Sequence, residues 1–257
     1  MTTQPPTVGL TGDDDRSALG RAESLLAAFD ANHQSLSLAG LVARTNLPRT
    51  TTYRTAEHMV RLSWLMRENG RYAIGRRLFE ISSLIAFRMQ LREAALPYMQ
   101  DLYEATHATV HLAVRDNLDV LYAEKISGHR RATGASRVGG RLPLYCTAVG
   151  KAILAHSPQA VVDAVIDAGL VRYTKTTCTN PGQLRAELGV IRRTGLAYDH
   201  GEYEAPVHCV ASPIVGPKGL AGAVSVTGTE QTTRVNSLGY AVRMAALGAA
   251  RDVPDAK

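Results

Sequence analysis

The sequence predicts an α+β protein in two parts, a winged helix-turn-helix followed by a sensor-like domain built on an antiparallel sheet. Three observations carry that expectation. Apolar residues recur at helical spacing in three stretches before residue 62, and an Asn69-Gly70 turn then separates two short apolar segments. Near residue 108 the pattern changes to strands and turns. The positive charge is gathered in the first third: residues 16–90 hold eleven arginines, no lysine and five acids, which accounts for the whole formal net charge of +6.

In order along the chain, residues 1–15 are rich in Pro, Thr, Gly and Asp and are expected to be a disordered tail. Leu19, Ala22, Leu25, Leu26 and Phe29 then recur at spacings of three and four, as in an amphipathic helix. A second helix starts at Ser37, a suitable N-cap, and turns Leu38, Leu41 and Val42 inward. Pro48 suits the first turn of a helix but not its interior, so it separates this helix from a third that begins near Arg49. That third helix should carry Ala56, Met59, Val60 and Leu62 inward. "WLMRENGRYAIG" reads as a β-hairpin, because Asn-Gly is the preferred pair for a type I′ turn. These elements make a DNA-binding domain over residues 16–75. A linker helix is expected over 76–95, with Pro97 as a break, and the second domain over 96–252. In that domain Asn180, Pro181 and Gly195 supply the N-cap, N1 and C-terminal residues of one helix.

At 257 residues and 45% hydrophobic content the chain has the composition of a soluble globular protein. Its apolar runs are broken well before the roughly 18 residues of a membrane span, and "MTTQPPTVGLTGDDDRS" lacks the basic and apolar regions of a signal peptide. A cytoplasmic location with no membrane partner is expected. Cys146, Cys178 and Cys209, odd in number and widely spaced, fit reduced thiols rather than a disulfide framework or zinc site.

The helix beginning at Arg49 opens with Arg49, Thr50, Thr51, Thr52, Tyr53 and Arg54. β-Branched residues are poor helix formers, so three consecutive threonines need another reason to be there. In a helix-turn-helix the start of the second helix meets base edges in the major groove. Arginine reads guanine bidentately, threonine bonds phosphate or base and touches thymine methyls, and the open N–H groups of a first turn attract phosphate. Helix capping is the competing reading for each threonine. Arg71, just past the hairpin turn, either enters a minor groove or is a solvated turn residue. Arg21 is a candidate phosphate contact, with surface salt-bridging as its alternative.

The stretches "LPRTTTYRTAEHMVRL", "GRYAIGRRLFEIS", "LPLYCTAVGKAILA", "GLAYDHGEYEAPVHCVASPI" and "LAGAVSVTG" together resemble the IclR family of transcriptional regulators, in that family's order and over residues 16–250. The resemblance implies a GAF-like effector-binding domain after the winged helix, homodimers and often dimers of dimers, and a double-stranded DNA operator. It also implies a pocket for a small organic acid. Carried over onto matching positions, Ala148, Val149 and Gly150 form a pocket wall and Leu142 an apolar wall. Asp199 and Cys209 are polar lining groups, and Ser225 and Thr227 supply hydroxyls on the last strand. Two of these assignments have independent physical support: a helix starting near Thr147 offers N–H groups to a carboxylate, and residues two apart on a strand share a face. The sequence departs from the family around "EAPVHC", where Pro206 and His208 stand near the matched cysteine. Asp199, if ionised, would repel a bound anion, so it is expected to accept from a ligand hydroxyl. Tyr145 and Tyr198 either favour an aromatic acid or belong to core or interface.

No enzyme, cofactor or metal is expected. "AVGKAIL" lacks the glycine at 145 and the Ser or Thr at 152 of a phosphate-binding loop. His107 and His111 are four apart, but Thr109 and Val110 between them read as strand. His208 beside Cys209 does not bring a base to a thiolate. The expected function is therefore a ligand-responsive, sequence-specific transcriptional regulator. Repression is the expected mode, although no residue fixes the sign. The alternatives are an enzyme acting on a small acyl compound fused to a DNA-binding module, and an architectural DNA binder.

Overall fold

The computed structural model describes residues 17–30, 32–127, 136–229 and 235–254, with the backbone alone at 86–89. The expected tail at 1–15 lies outside the described residues. The chain divides into two compact units, 1–86 and 87–257.

In the first unit Ser17 caps α1 (Ala18–Ala27), its hydroxyl accepting the Gly20 N–H at 2.8 Å. Ser37 does the same for Gly40 at the head of α2 (Leu38–Thr45), which ends on a left-handed Asn46. α3 (Arg49–Arg61) follows Pro48 and buries Thr52, Ala56 and Met59, a stripe at spacings of four and three. The three helices close over a small sheet of order β1-β3-β2, formed by β1 (Ser35–Ser37), β2 (Leu65–Glu68) and β3 (Arg71–Ile74). Asn69 and Gly70 both have positive φ, as a type I′ turn demands, and Glu68 pairs with Arg71 across it. Leu25, Leu36, Leu41, Met59, Leu65 and Tyr72 form the core. Three expected inward residues lie outside it, with Val42 of α2 half-buried and the other two exposed. Leu19 sits in the first turn of α1 and is 77% exposed, and Leu62, past the last turn of α3, is 49% exposed. At both places the helical period extends beyond the surface the fold has to cover.

The linker region differs from expectation. α4 (Arg76–Ser82) is short, and α5 (Ala86–Thr106) runs unbroken through Pro97. Leu91, Ala95, Met99 and Leu102 bury one stripe of α5 in the core of the second unit. Pro97 stands on the exposed side, where the carbonyl its ring deprives of a ladder bond can meet water. Packing of the buried stripe outweighs the local cost.

The second unit is one antiparallel sheet of order β6-β5-β4-β9-β8-β7, with helices on both faces. Its strands are β4 (Thr109–Asp116), β5 (Asp119–Ile126), β6 (Arg141–Pro143), β7 (Ala197–His200), β8 (Val207–Gly216) and β9 (Gly219–Thr229). α5 and α9 (Gly239–Asp252) cover Val110, Leu112, Val210, Val224 and Val226 on one face. α6 (Ala148–Ala155), α7 (Gln159–Asp167) and α8 (Pro181–Thr194) pack with Ala113, Ala211 and Ala223 on the other. Strands buried on both faces explain the nearly continuous apolar run "VHCVASPIV". α8 has the expected ends: Asn180 accepts from Gln183 N–H at 3.0 Å, Pro181 is at N1, and Gly195 is left-handed.

Candidate functional sites

At the start of α3, Arg49, Thr50, Tyr53 and Arg54 are exposed and Thr51 is half-buried. No side chain caps this helix, since its N-cap is Pro48. The threonines therefore do not serve as N-caps. The first backbone N–H engaged is that of Thr52, to the Pro48 carbonyl at 2.9 Å, which leaves those of Arg49, Thr50 and Thr51 as first-turn donors beside two guanidinium groups.

Thr52 does not share that exposed position. It is fully buried, and its hydroxyl donates to the carbonyls of Pro48 at 3.1 Å and Leu47 at 3.3 Å. It heads the inward stripe of Ala56 and Met59, so helical geometry points it away from any surface ligand. Arg71 is exposed, but its guanidinium is bonded to β1: Nε to Ser35 Oγ at 2.9 Å and Nη2 to the Ser35 carbonyl at 2.5 Å. Pairing of Arg71 with Ser37 brings the side chain alongside Ser35 on the neighbouring strand. The wing arginine thus braces the sheet. Arg21 is half-buried on α1.

The second site is a cavity at the face of the large sheet that carries α6, with about 510 Å³ of space, part of it open to solvent. Strand register assembles it. Asp199 pairs with Cys209, Cys209 with Thr227 and Thr227 with Thr109; one row along, Ser225 pairs with His111. Paired residues of neighbouring strands point to the same face, so six polar residues from four strands converge on one floor. Leu142 of β6 and Ala148 and Val149 of α6 complete a wall. The Lys151 N–H goes to the Thr147 carbonyl and that of Gly150 to Thr147 Oγ1 at 3.1 Å. Ala148 and Val149 are left as first-turn donors on the cavity side.

Gly150 itself does not line the cavity. It packs on the turn Leu144–Cys146, so tightly that a Cβ there would stand 2.2 Å from the Leu144 carbonyl oxygen. Only glycine allows α6 to start at this depth. Tyr145 and Tyr198 are not lining residues either: Tyr145 is buried with its hydroxyl donating to the Val171 carbonyl at 2.7 Å, and Tyr198 packs on the opposite face of the sheet. The aromatic lining comes from Tyr122 and Tyr203 instead.

His111, which the sequence leaves in a structural or surface role, lies on the cavity floor. Its Nε2 is 2.7 Å from Ser136 Oγ and its Nδ1 is 3.3 Å from Thr227 Oγ1, which donates to Cys209 Sγ at 3.1 Å. Full burial pushes its pKa down to about 3, so the ring is neutral. The signal for it was present in the sequence, because Thr109 and His111 are polar at alternate positions of a strand whose other face is Val110 and Leu112. His107 stands apart with positive φ where α5 gives way to β4, so the two histidines do not share a helix face. Tyr203 and Glu204, from the connection between β7 and β8, had no such signal.

Burial pushes Asp199 up to about 6. Its Oδ1 accepts the Glu202 N–H at 2.7 Å. Among the described lining residues there is no lysine or arginine, while Asp199 and Glu204 are acids. The described lining thus offers hydroxyls, N–H groups and apolar surface. Burial also pushes the Cys209 thiol up, which makes it a poor nucleophile, and His208 faces the other way along β8.

Residues 18–68 match the family model for the IclR helix-turn-helix domain, and residues 84–254 that for the bacterial transcriptional regulator IclR C-terminal region. The chain belongs to the IclR family. It is 35% identical over 216 residues to the HTH-type transcriptional regulator RhmR of Escherichia coli, covering 82% of each chain. It is 28% identical over 202 residues to the transcriptional repressor IclR of the same organism, covering 77% of this chain and 74% of that one. Among solved structures, an IclR homolog complexed with 4-hydroxybenzoate from Microbacterium hydrocarbonoxydans superposes with a TM-score of 0.85 at 29% identity, over 92% of this chain and 99% of that one. IclR-family proteins are DNA-binding transcriptional regulators and not enzymes, so the fused-enzyme reading of the sequence is set aside. No described helix is long and apolar enough to cross a membrane.

Proposed function

We propose that this IclR-family chain is a ligand-responsive repressor that meets a double-stranded operator in the cytoplasm, as a homodimer or a dimer of dimers. Arg49, Thr50, Thr51, Tyr53 and Arg54 read the major groove, and Arg21 contacts phosphate. Arg71 reaches DNA only by exchanging its Ser35 bonds for new ones. The effector is a small organic acid that also carries a hydroxyl. Its carboxylate sits at the Ala148 and Val149 N–H groups, and its hydroxyl donates to Asp199.

The observation that carries this reading is the composition of the cavity: two open helix N–H groups at one wall, a buried carboxyl at another, and hydroxyls between. The 4-hydroxybenzoate in the Microbacterium homolog has the same pair of functions and is the natural first probe. Occupancy is passed to the DNA-binding unit through α4 and α5, the helices that join the two units in sequence, with a coupling of about 1–3 kcal/mol. The test is a thermal-shift panel of hydroxylated and plain carboxylic acids, followed by fluorescence anisotropy on an operator selected in vitro with the full chain. An acid that stabilises the protein should change operator affinity by roughly 5–150-fold. Stabilisation by none of the acids, or stabilisation without any change in DNA affinity, would remove the sensor reading.

A further inference from the structure

One wall of the cavity is the connection between β7 and β8, which carries Tyr203 and Glu204. The two residues before them are held from several sides. The Gly201 carbonyl accepts from Thr174 Oγ1 at 2.6 Å and Thr176 Oγ1 at 2.8 Å, and the Glu202 carbonyl accepts from Thr177 Oγ1 at 2.6 Å. The Glu202 side chain reaches α6, where its Oε1 receives Lys151 Nζ. Lys151 is 1% exposed, and its other anchor is Glu187 of α8 at 2.5 Å.

Every other side chain of α6 is apolar and buried. A buried cation is costly to desolvate, and a methionine of similar length would pack there at less expense. Stability alone therefore does not account for a lysine at 151. Geometry does, because α6 presents Ala148 and Val149 to the cavity at its start and ties down the opposing wall one turn later. The clasp is incomplete, since Glu202 Oε2 is buried without a hydrogen-bond partner. A carboxylate satisfied at one oxygen can be released at lower cost than one satisfied at both.

We propose that Lys151 is a positioning residue: through Glu202 it latches the 201–206 connection to α6, and so fixes the wall that Tyr203 and Glu204 present to the occupant. The effect on binding rests on the cavity being the effector site, whereas the latch itself does not.

The test is amide hydrogen exchange on the full-length chain, comparing the parent with Lys151→Met, Glu202→Gln and the double variant Lys151→Met/Glu202→Leu. Exchange across 201–207 should rise about tenfold in Lys151→Met, while α9 and the central strands β4 and β9 stay at parental rates. The double variant replaces the ion pair with apolar side chains, so its melting temperature should return to the parental value or above while the connection stays unprotected. Should Lys151→Met fail to fold, Glu202→Gln and the double variant carry the same comparison. Unchanged exchange at 201–207 would overturn the latch. So would acceleration by the same factor everywhere, or a double variant that restores protection along with stability. Calorimetry with 4-hydroxybenzoate is run beside it, with affinity expected to fall about tenfold in Lys151→Met. Parental affinity in a variant whose connection has opened overturns the positioning role. If the parent itself does not bind this probe, the acid reading fails while exchange still decides the latch.

Discussion

Replacing Gly150 by alanine isolates the feature that sets the depth of α6. The new Cβ would lie 2.2 Å from the Leu144 carbonyl oxygen and 2.5 Å from Thr147 Oγ1, against 3.4 Å for ordinary contact. Neither neighbour is the free end of a long side chain: one is backbone, and the other is the capping hydroxyl itself. Relief requires the start of α6 to back away by about 1 Å, an overpacking cost of about 1–3 kcal/mol, and loosens a cap worth about 1 kcal/mol. Alanine returns up to about 1 kcal/mol of helix propensity. Strain wins, with a net loss of about 1–3 kcal/mol, or roughly 3–10 °C in the melting temperature of a unit this size. The same displacement moves Ala148 and Val149, so any acid that stabilises the parent should stabilise the variant less. Differential scanning calorimetry of the full chain, with and without the ligand, measures both effects. A variant that melts within 1 °C of the parent and keeps the full ligand-induced shift would refute the argument that glycine sets this wall.

The other expectations can be checked with the same material. Arg49→Ala should lower affinity for the selected operator by about 1–3 kcal/mol if it reads guanine, whereas Arg21→Ala should weaken all DNA sequences alike and flatten the salt dependence; anisotropy titrations at several salt concentrations separate the two. Thr52→Val should leave operator affinity within about twofold, because its hydroxyl points into the domain, while Thr50→Val should weaken it. Asp199 has a folded pKa of about 6, above its ordinary 3.8, so the native state holds the extra proton between those values and this group's contribution to stability is lost as pH rises through that window. His111 has the opposite sign, since its folded pKa of about 3 lies below the ordinary 6.5 and its contribution is lost as pH falls. Thermal melts from pH 4 to 7 should accordingly show Asp199→Asn gaining on the parent as pH rises and His111→Gln gaining as pH falls.

Much of the fold was legible in local chemistry. The Asn69-Gly70 turn, the caps at Ser37 and Asn180, and the left-handed Gly195 each depend on a few neighbouring residues, and each stands where turn and cap preferences put it. Failures came where a long-range contact overrode a local preference. Pro97 remains inside α5 because Leu91, Ala95, Met99 and Leu102 are buried along it.

The sequence by itself determined the three helices and hairpin of the first unit, the concentration of arginine in the first third, and the run Arg49–Arg54 at the head of one helix. Tertiary structure alone decided which polar residues meet. Thr52 is taken out of the exposed run at the head of α3 by the direction that helix turns to the core, and Gly150 is removed from the cavity by the carbonyl it packs on. His111 joins Ser136 and Thr227 through strand pairing, and Lys151 finds Glu202 across 51 positions of chain. Periodicity and turn chemistry are properties of a few adjacent residues, whereas register and burial are set by elements far apart in sequence, and only the folded chain brings those together.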